Sequence, residues 1–284
     1  MLNKLNKTDE AIKYLLNGLD ILNNSFECLN EIAYSFYIKE DYHLTKKYLD
    51  LSLSFNEQNF EAYKLYGIIK NNIEKNYKEA ISYFEKAKKI NNNEDINYLI
   101  SEARYNLGQY DKSSEILTNL IKQGIKITSI KIKSYKLLIK QYIELGLYSE
   151  ALKYFETLSE NEIDEQLNYY KGIIYYYLKD YQNAEKILRK FNTVTQNPDY
   201  LNLYGIIQFK LNKVNEAINT MTKLVEKERK EKYLLNIAKI YLYNSNIERA
   251  SEIYNEIIKG NENNFEAYYN LGLLYKDKDK TKSR

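Results

Sequence analysis

Leu145-Gly146-Leu147-Tyr148-Ser149-Glu150-Ala151-Leu152-Lys153-Tyr154-Phe155 holds the end of one helix and the start of another. Leu145-Gly146 closes the first, because glycine tolerates the left-handed backbone of a helix C-terminus. A serine and an acid, Ser149 and Glu150, open the second. Ala151 has a tyrosine three residues before it and Phe155 four after. Outward from Ala151, the same pattern recurs around the small anchors Ala11, Thr45, Ala80, Ser113, Ala184, Ala217 and Ala250, and the eight positions are spaced 34, 35, 33, 38, 33, 33 and 33 residues apart. Tyr42, Tyr77, Tyr110 and Tyr181 stand three before their anchors, and Leu15, Leu49, Phe84, Leu117, Leu188, Met221 and Tyr254 four after.

A second series lies about twelve residues before most anchors: Ala33, Gly67, Ser101, Ile139, Gly172, Gly205 and Ala238, continued by Gly272. A glycine inside a helix costs about 1 kcal/mol relative to alanine, so glycines held at one phase need a reason. Close approach of two antiparallel helices supplies it, with the small anchor expected at the facing position. In Phe265-Glu266-Ala267-Tyr268-Tyr269-Asn270-Leu271-Gly272-Leu273-Leu274-Tyr275 the apolar residues recur at helical spacing. Each repeat therefore reads as helix A, a short turn and helix B. Asn91 to Asn93 and Asn261 to Asn264 separate repeats, and asparagine both turns the chain and caps the next helix.

These segments resemble tetratricopeptide (TPR) repeats. Tyr268, Leu271, Gly272 and Tyr275 match that family's helix A pattern, and Ala80, Phe84 and Ala87 its helix B pattern. The resemblance covers nearly the whole chain and implies an all-α fold, a solenoid of antiparallel helix-pair repeats wound as a right-handed superhelix. The expected plan is a single solenoid over 1–284: an N-terminal half repeat (1–25), repeats one to three (26–128), repeats four to seven (129–264) and a C-terminal capping helix with a polar tail (265–284). Departures from the pattern are Asn97 and Asn168 at the bulky helix A position, one extra residue near Asn72-Ile73-Glu74, and four extra residues at about Thr128 to Lys131. The last predicts a longer helix or a bent connection between repeats three and four. Stability is then a sum of repeat and interface terms, with no single core.

Composition narrows the function classes. The chain has 284 residues, is 44% hydrophobic and 29% charged, and carries a net +3 from 42 basic and 39 acidic residues. Enough apolar residue is present to bury a core, and the basic excess common among nucleic-acid binders is missing. The single cysteine, Cys28, forms no intramolecular disulfide, and the sequence shows neither a run long enough to span a membrane nor a signal-type N-terminus. A cytoplasmic protein is the expectation. One proline, no tryptophan and 31 tyrosines, with abundant Lys, Asn and Ile, fit AT-rich coding, so tyrosine abundance alone signals no function.

No catalytic constellation emerges. His43 is alone in a polar turn, Cys28 lacks a second thiol or a histidine pair, the glycines sit at packing phases, and Glu160 with Glu162 reads as a solvated helix end. The chain is expected to be no enzyme and to need no cofactor or metal.

The resemblance implies that helix A residues line a concave face on which partners bind. Repeat by repeat, those phases fall on Lys133, Lys136, Lys140 and Ile143; on Tyr169, Tyr170, Ile173, Tyr176 and Tyr177; on Asn202, Leu203, Ile206, Phe209 and Lys210; and on Lys232, Asn236, Lys239 and Tyr243. An aromatic and aliphatic floor between two lysine stripes is expected to bind a protein or peptide, with an acidic or aromatic segment the fitting chemistry. The carboxylate clamp found in part of the family is not expected, since its positions read Tyr34, Leu65 and Glu102. Two other readings stay open: single-stranded RNA binding, which wants a basic track with aromatic stacking, and a regulatory interaction domain of a larger enzyme. Ile12, Leu15, Leu16 and Leu19 on the first helix leave an edge for residues 1–8, a second copy or a partner to cover.

Overall fold

The computed structural model describes residues 7–22, 25–191, 195 and 197–282; side chains are described as far as Lys276. Among these residues the secondary structure is helical, with no strand. A single helix, α1 (Thr8–Ile21), comes first. Seven helix A/helix B repeats follow: α2 (Phe26–Ile38) and α3 (Tyr42–Phe55), α4 (Phe60–Asn72) and α5 (Tyr77–Ile90), α6 (Glu94–Asn106) and α7 (Tyr110–Gln123), α8 (Thr128–Glu144) and α9 (Tyr148–Lys153), α10 (Glu165–Tyr177) and α11 (Tyr181–Leu188), α12 (Pro198–Lys210) and α13 (Val214–Lys227), α14 (Glu231–Tyr243) and α15 (Ile247–Gly260). The helix α16 (Phe265–Lys282) comes last. Packing divides the chain into two compact units, unit 1 over Met1–Gln141 and unit 2 over Tyr142–Arg284, with the division in the last turn of α8.

All eight anchors are buried. Each hydrophobic cluster joins one repeat to the next. Ala80, Phe84 and Ala87 of α5 meet Ile96, Ile100 and Ala103 of α6, and Ala184 and Leu188 of α11 meet Tyr200, Leu203, Tyr204 and Ile207 of α12. This is the nearest-neighbour burial that repeat architecture requires.

The helical glycines do allow close approach, but the residue facing them is not the small anchor. A Cβ on Gly67 would stand 2.3 Å from the ring of Phe84, one on Gly172 2.7 Å from Leu188 and one on Gly205 2.7 Å from Met221. In each case the bulky residue four after the anchor fills the space. At one anchor the contact is with the facing backbone: the Ser113 hydroxyl donates to the Ser101 carbonyl at 2.8 Å.

One left-handed residue turns every A helix into its B helix: Glu40, Lys75, Gly108, Gly146, Lys179, Asn212 and Ser245, with φ between 54° and 79°. The following amide closes the turn by donating to a carbonyl five residues back, for example Asp41 to Phe36 and Asp180 to Tyr175. In the second repeat Asn76 donates to Lys70, one residue further back, which is where the extra residue is absorbed. The expected asparagine caps are present: Asn93 accepts from the Ile96 amide and Asn264 from the Ala267 amide. Asn97 and Asn168 fold back onto the carbonyls of Asn93 and Asp164. The lone proline, Pro198, starts α12, where its missing N–H costs nothing. The insertion at 128–131 appears as a longer helix, since α8 has 17 residues against 13 in α2, α4 and α6. Two B helices are shorter than the pattern suggests: α9 tightens after Lys153 into a 3-10 turn (Tyr154–Thr157), and α11 ends at Leu188.

Candidate functional site

In unit 1, successive A helices line one groove of about 1040 Å³. Phe26, Asn30 and Tyr34 come from α2, Phe60, Leu65 and Ile68 from α4, Tyr98 and Leu99 from α6, and Lys133 from α8. The helical repeat brings residues three, four and seven apart to one side of each helix, so each A helix supplies a short row. Asn30 and Asn59 tie two rows together, each amide donating to the other's carbonyl oxygen at 3.0 and 3.1 Å. Asn59 also donates to the Ser52 hydroxyl and caps α4 by accepting from the Ala62 amide.

Charge is the groove's second feature. Its lining includes the carboxylates of Glu27, Glu31, Glu61, Asp95 and Glu102, against the ammonium groups of Lys64 and Lys133. Lys64 pairs with Asp95 at 2.6 Å. Glu102 accepts from the Tyr98 hydroxyl at 2.7 Å, and the Lys133 ammonium lies 5.8 Å from the Tyr98 ring centre. Burial, and then the neighbouring Glu102 charge, raise the Tyr98 phenol well above its ordinary value of 10.0.

Of the predicted positions, Lys133 lines this groove. Lys136 and Lys140 lie half-buried on the same helix, and the Lys140 ammonium sits 4.9 Å from the Tyr105 ring centre. The remaining predicted positions belong to unit 2. Tyr169, Ile173 and Tyr176 are half-buried against the core formed by α11 and α12, with Tyr169 stacked on Tyr200 at 6.0 Å. Burial pushes Tyr169 up to about 12. Ile206 is half-buried, and Phe209 packs on the last core cluster with Tyr243 edge-on to its ring at 5.0 Å. Tyr177 and Tyr243 are 55% and 63% exposed, which leaves these two rings open to a partner. Tyr177 stacks on Tyr148 at 4.7 Å.

The lysine stripe of α14 is engaged within the fold: Lys232 pairs with Asp199 at 2.5 Å, and Lys239 with Glu266. These half-exposed ion pairs link neighbouring repeats, and each sets a carboxylate beside the lysine, so the local field of the stripe is weaker than the lysines alone would give.

The acidic groove of unit 1 was missed by the sequence reading, which placed the site further along the chain. Its available signal was the recurrence of Glu27, Glu31, Glu61, Asp95 and Glu102 on three successive A helices. Unit 2 has a smaller hollow of about 580 Å³ among α11, α12 and α13, bordered by the Lys213–Glu185 pair. On α1, Ile12 is buried, Leu15, Leu16 and Leu19 are half-buried, and Tyr14, Ile21 and Leu22 are exposed. Of residues 1–8, suggested as a cover for this edge, 1–6 lie outside the described residues. Among the described residues no group of three or more His, Cys, Asp and Glu side chains is placed to hold a metal ion, and no helix is long and apolar enough to cross a membrane.

Family models described as tetratricopeptide repeat match residues 73–124 and 235–282, and one described as anaphase-promoting complex, cyclosome, subunit 3 matches residues 144–224. The TPR repeat-containing protein MJ1428 of Methanocaldococcus jannaschii is 27% identical over 230 residues, which cover 75% of this chain and 40% of that protein. Human tetratricopeptide repeat protein 13 is 28% identical over 137 residues, 46% of this chain and 16% of that protein. This chain thus spans well under half the length of either relative. A tetratricopeptide repeat protein from Parabacteroides merdae has the same fold, with a TM-score of 0.62 at 19% identity, covering 88% of this chain and 98% of that one. A chain of the APC/C hetero-tetramer Cut9-Hcn1 gives 0.63 at 15% identity, covering 94% of this chain and 52% of that one. Seven helix pairs in phase, left-handed A–B turns throughout and these matches identify the chain's helix pairs as tetratricopeptide-type repeats.

Proposed function

We propose that the chain is a protein-interaction scaffold, and that a segment of a partner protein docks across the A-helix faces of its repeats. The groove of unit 1 carries this reading: four consecutive A helices, α2, α4, α6 and α8, contribute to one open cleft long enough for an extended segment. Aromatic residues with polar tips are well suited to such contacts. In unit 2 the exposed Tyr177 and Tyr243 supply them, with Tyr169, Ile173, Tyr176, Ile206 and Phe209 as the packed bed beneath and Lys239 at the margin. Within unit 1, Lys133, Lys136 and Lys140 of α8 extend the row of the acidic groove. The related fold in the Cut9-Hcn1 hetero-tetramer belongs to a multi-protein assembly, which supports the same class of role here.

Site-specific photo-crosslinking in extract of the native host tests the reading. A benzophenone amino acid is placed at Tyr34, Glu61 or Tyr177 on A helices, and at the exposed B-helix positions Lys47 or Lys112 for comparison. A discrete protein adduct from the A-helix positions, not seen from the B-helix ones, is the expected result. Adducts only from Lys47 and Lys112, or none from any position, would remove the proposal.

A further inference from the structure

We infer that the unit 1 groove takes an extended, arginine-rich segment of a partner protein; this rests on the scaffold reading and specifies the partner's chemistry. Five carboxylates against two ammonium groups leave the groove with a net of three negative charges. The Lys64–Asp95 pair is closed on itself. Glu27 and Glu102 accept from the hydroxyls of Ser25 and Tyr98, neutral donors that leave the carboxylate charge in place. Glu31 and Glu61 are exposed on α2 and α4.

A second observation selects the cation. Tyr34 lies one turn after Glu31 on α2 and lines the same groove with 47% of its surface exposed. A guanidinium can lie flat on such a ring while its edge pairs with a carboxylate, which arginine does better than lysine. Leu99 and Ile68, half-buried in the floor, suit the aliphatic stems behind those charges. Helices packed about 10 Å apart put α2 and α8 about 30 Å from each other, a span that about nine extended residues cover. Lys133 marks the α8 end of the acidic track. The same negative charge repels a phosphate backbone, which sets this groove against single-stranded RNA.

Fluorescence anisotropy on the full chain tests this with two labelled nine-residue peptides, one of three Arg-Leu-Ser triplets and one of three Glu-Leu-Ser triplets. The basic peptide is expected to bind at least about tenfold more tightly than the acidic one. Its affinity should fall as salt rises from about 50 to about 200 mM, because exposed charge pairs are screened. Glu31→Lys combined with Glu61→Lys should weaken the basic peptide by about tenfold or more, and Lys133→Glu should strengthen it. Equal or tighter binding of the acidic peptide, or no response to the double charge reversal, overturns the inference. Acidic-peptide binding that is lost in Leu99→Asp would keep the groove as a docking site and discard only the basic chemistry. Neither peptide binding, together with no A-helix crosslinks, would discard the scaffold reading as well. If the double variant melts differently from the parent, the salt response of the parent and the Lys133→Glu result decide.

Discussion

The backbone of Gly67 lies directly against the ring of Phe84, so closely that a single added methyl carbon would stand 2.3 Å from the ring. Phe84, on α5, is fully buried in a cluster with Ile96, Ile100 and Ala103 of α6, so its ring can give way only by disturbing that packing. Gly67→Ala gains about 1 kcal/mol of helix propensity and loses about 1–3 kcal/mol to overpacking, so the net expectation is destabilisation. Gly272 sits at the same phase in α16, and a Cβ there meets nothing within 4 Å. Gly272→Ala should therefore stabilise by up to about 1 kcal/mol. Thermal melts of the two variants should shift in opposite directions; a shift of the same sign in both would contradict the helix contact. Ala184→Leu, at a fully buried anchor, should cost about 1–3 kcal/mol by the same overpacking.

The A–B turns give a second pair of opposite signs. Lys179 holds φ at 62° and Gly146 holds it at 72°, in equivalent turns of adjacent repeats. A side chain in this region costs about 1–2 kcal/mol, which glycine avoids at some cost in unfolded-state entropy. Lys179→Gly should raise stability by about 0.5 kcal/mol, and Gly146→Ala should lower it by about 1 kcal/mol. Urea midpoints at unchanged slope would measure both; a Gly146→Ala protein as stable as the parent would mean that the turn does not impose this backbone.

Tyr66 and Tyr254 are both buried, but only one hydroxyl is used. The Tyr66 hydroxyl donates its one hydrogen to Asp50 at 2.5 Å, with the Lys46 carbonyl 3.1 Å away as a secondary acceptor, while the Tyr254 hydroxyl is buried without a partner. Tyr66→Phe should cost about 1–2 kcal/mol, and Tyr254→Phe should gain about 1 kcal/mol by removing an unsatisfied group. Burial raises both phenols, Tyr254 to about 12, and the Asp50 hydrogen bond adds to the effect at Tyr66. The unfolded chain ionises near 10.0 while the folded one holds its protons. Stability from these groups is thus complete below pH 10 and falls as pH rises towards 12. Unfolding midpoints at about pH 9 and pH 11, with tyrosinate absorbance followed in parallel, should show the loss, and Tyr254→Phe should make it smaller.

The helix pairs were legible because a glycine, alanine or serine at a fixed phase is a local signal that survives any choice of neighbours. Ala80, Ser113 and Ala151 could be placed from spacing alone. Which surface an A-helix residue faces depends instead on the next repeat, about 33 residues away. Lys232 looks like a free charge until Asp199 is set beside it, and Tyr169 looks like an open ring until Tyr200 is stacked against it. Lys64 and Asp95 show the same effect in the groove that the sequence reading missed. Helical periodicity fixes the face of a residue within its own helix and carries nothing about such pairings. The Gly67–Phe84 contact was half legible: the need for a small residue was evident, and the identity of what pressed on it was not.

Asn59 joins that packing to the groove. Its side chain caps α4 at the Ala62 amide and donates to both Asn30 and Ser52, and the residue is 3% exposed. Asn59→Ala removes a cap, at about 0.5–2 kcal/mol, and leaves the Asn30 amide without its acceptor. Asn59→Asp keeps the cap oxygen and still accepts from Asn30, but once ionised it can donate to neither Asn30 nor Ser52. A buried carboxylate there also adds a desolvation cost that rises with pH above the carboxylate range. The alanine variant should therefore lose about 2–3 kcal/mol at every pH between about 4 and 8. The aspartate variant should be close to the parent near pH 4 and progressively weaker towards pH 8, because only its ionised form is penalised. Urea titrations of the three proteins at both pH values separate the roles. A pH-independent aspartate variant would mean that the site is wet, and an undisturbed alanine variant that the Asn30–Asn59 tie does not hold α2 and α4 together.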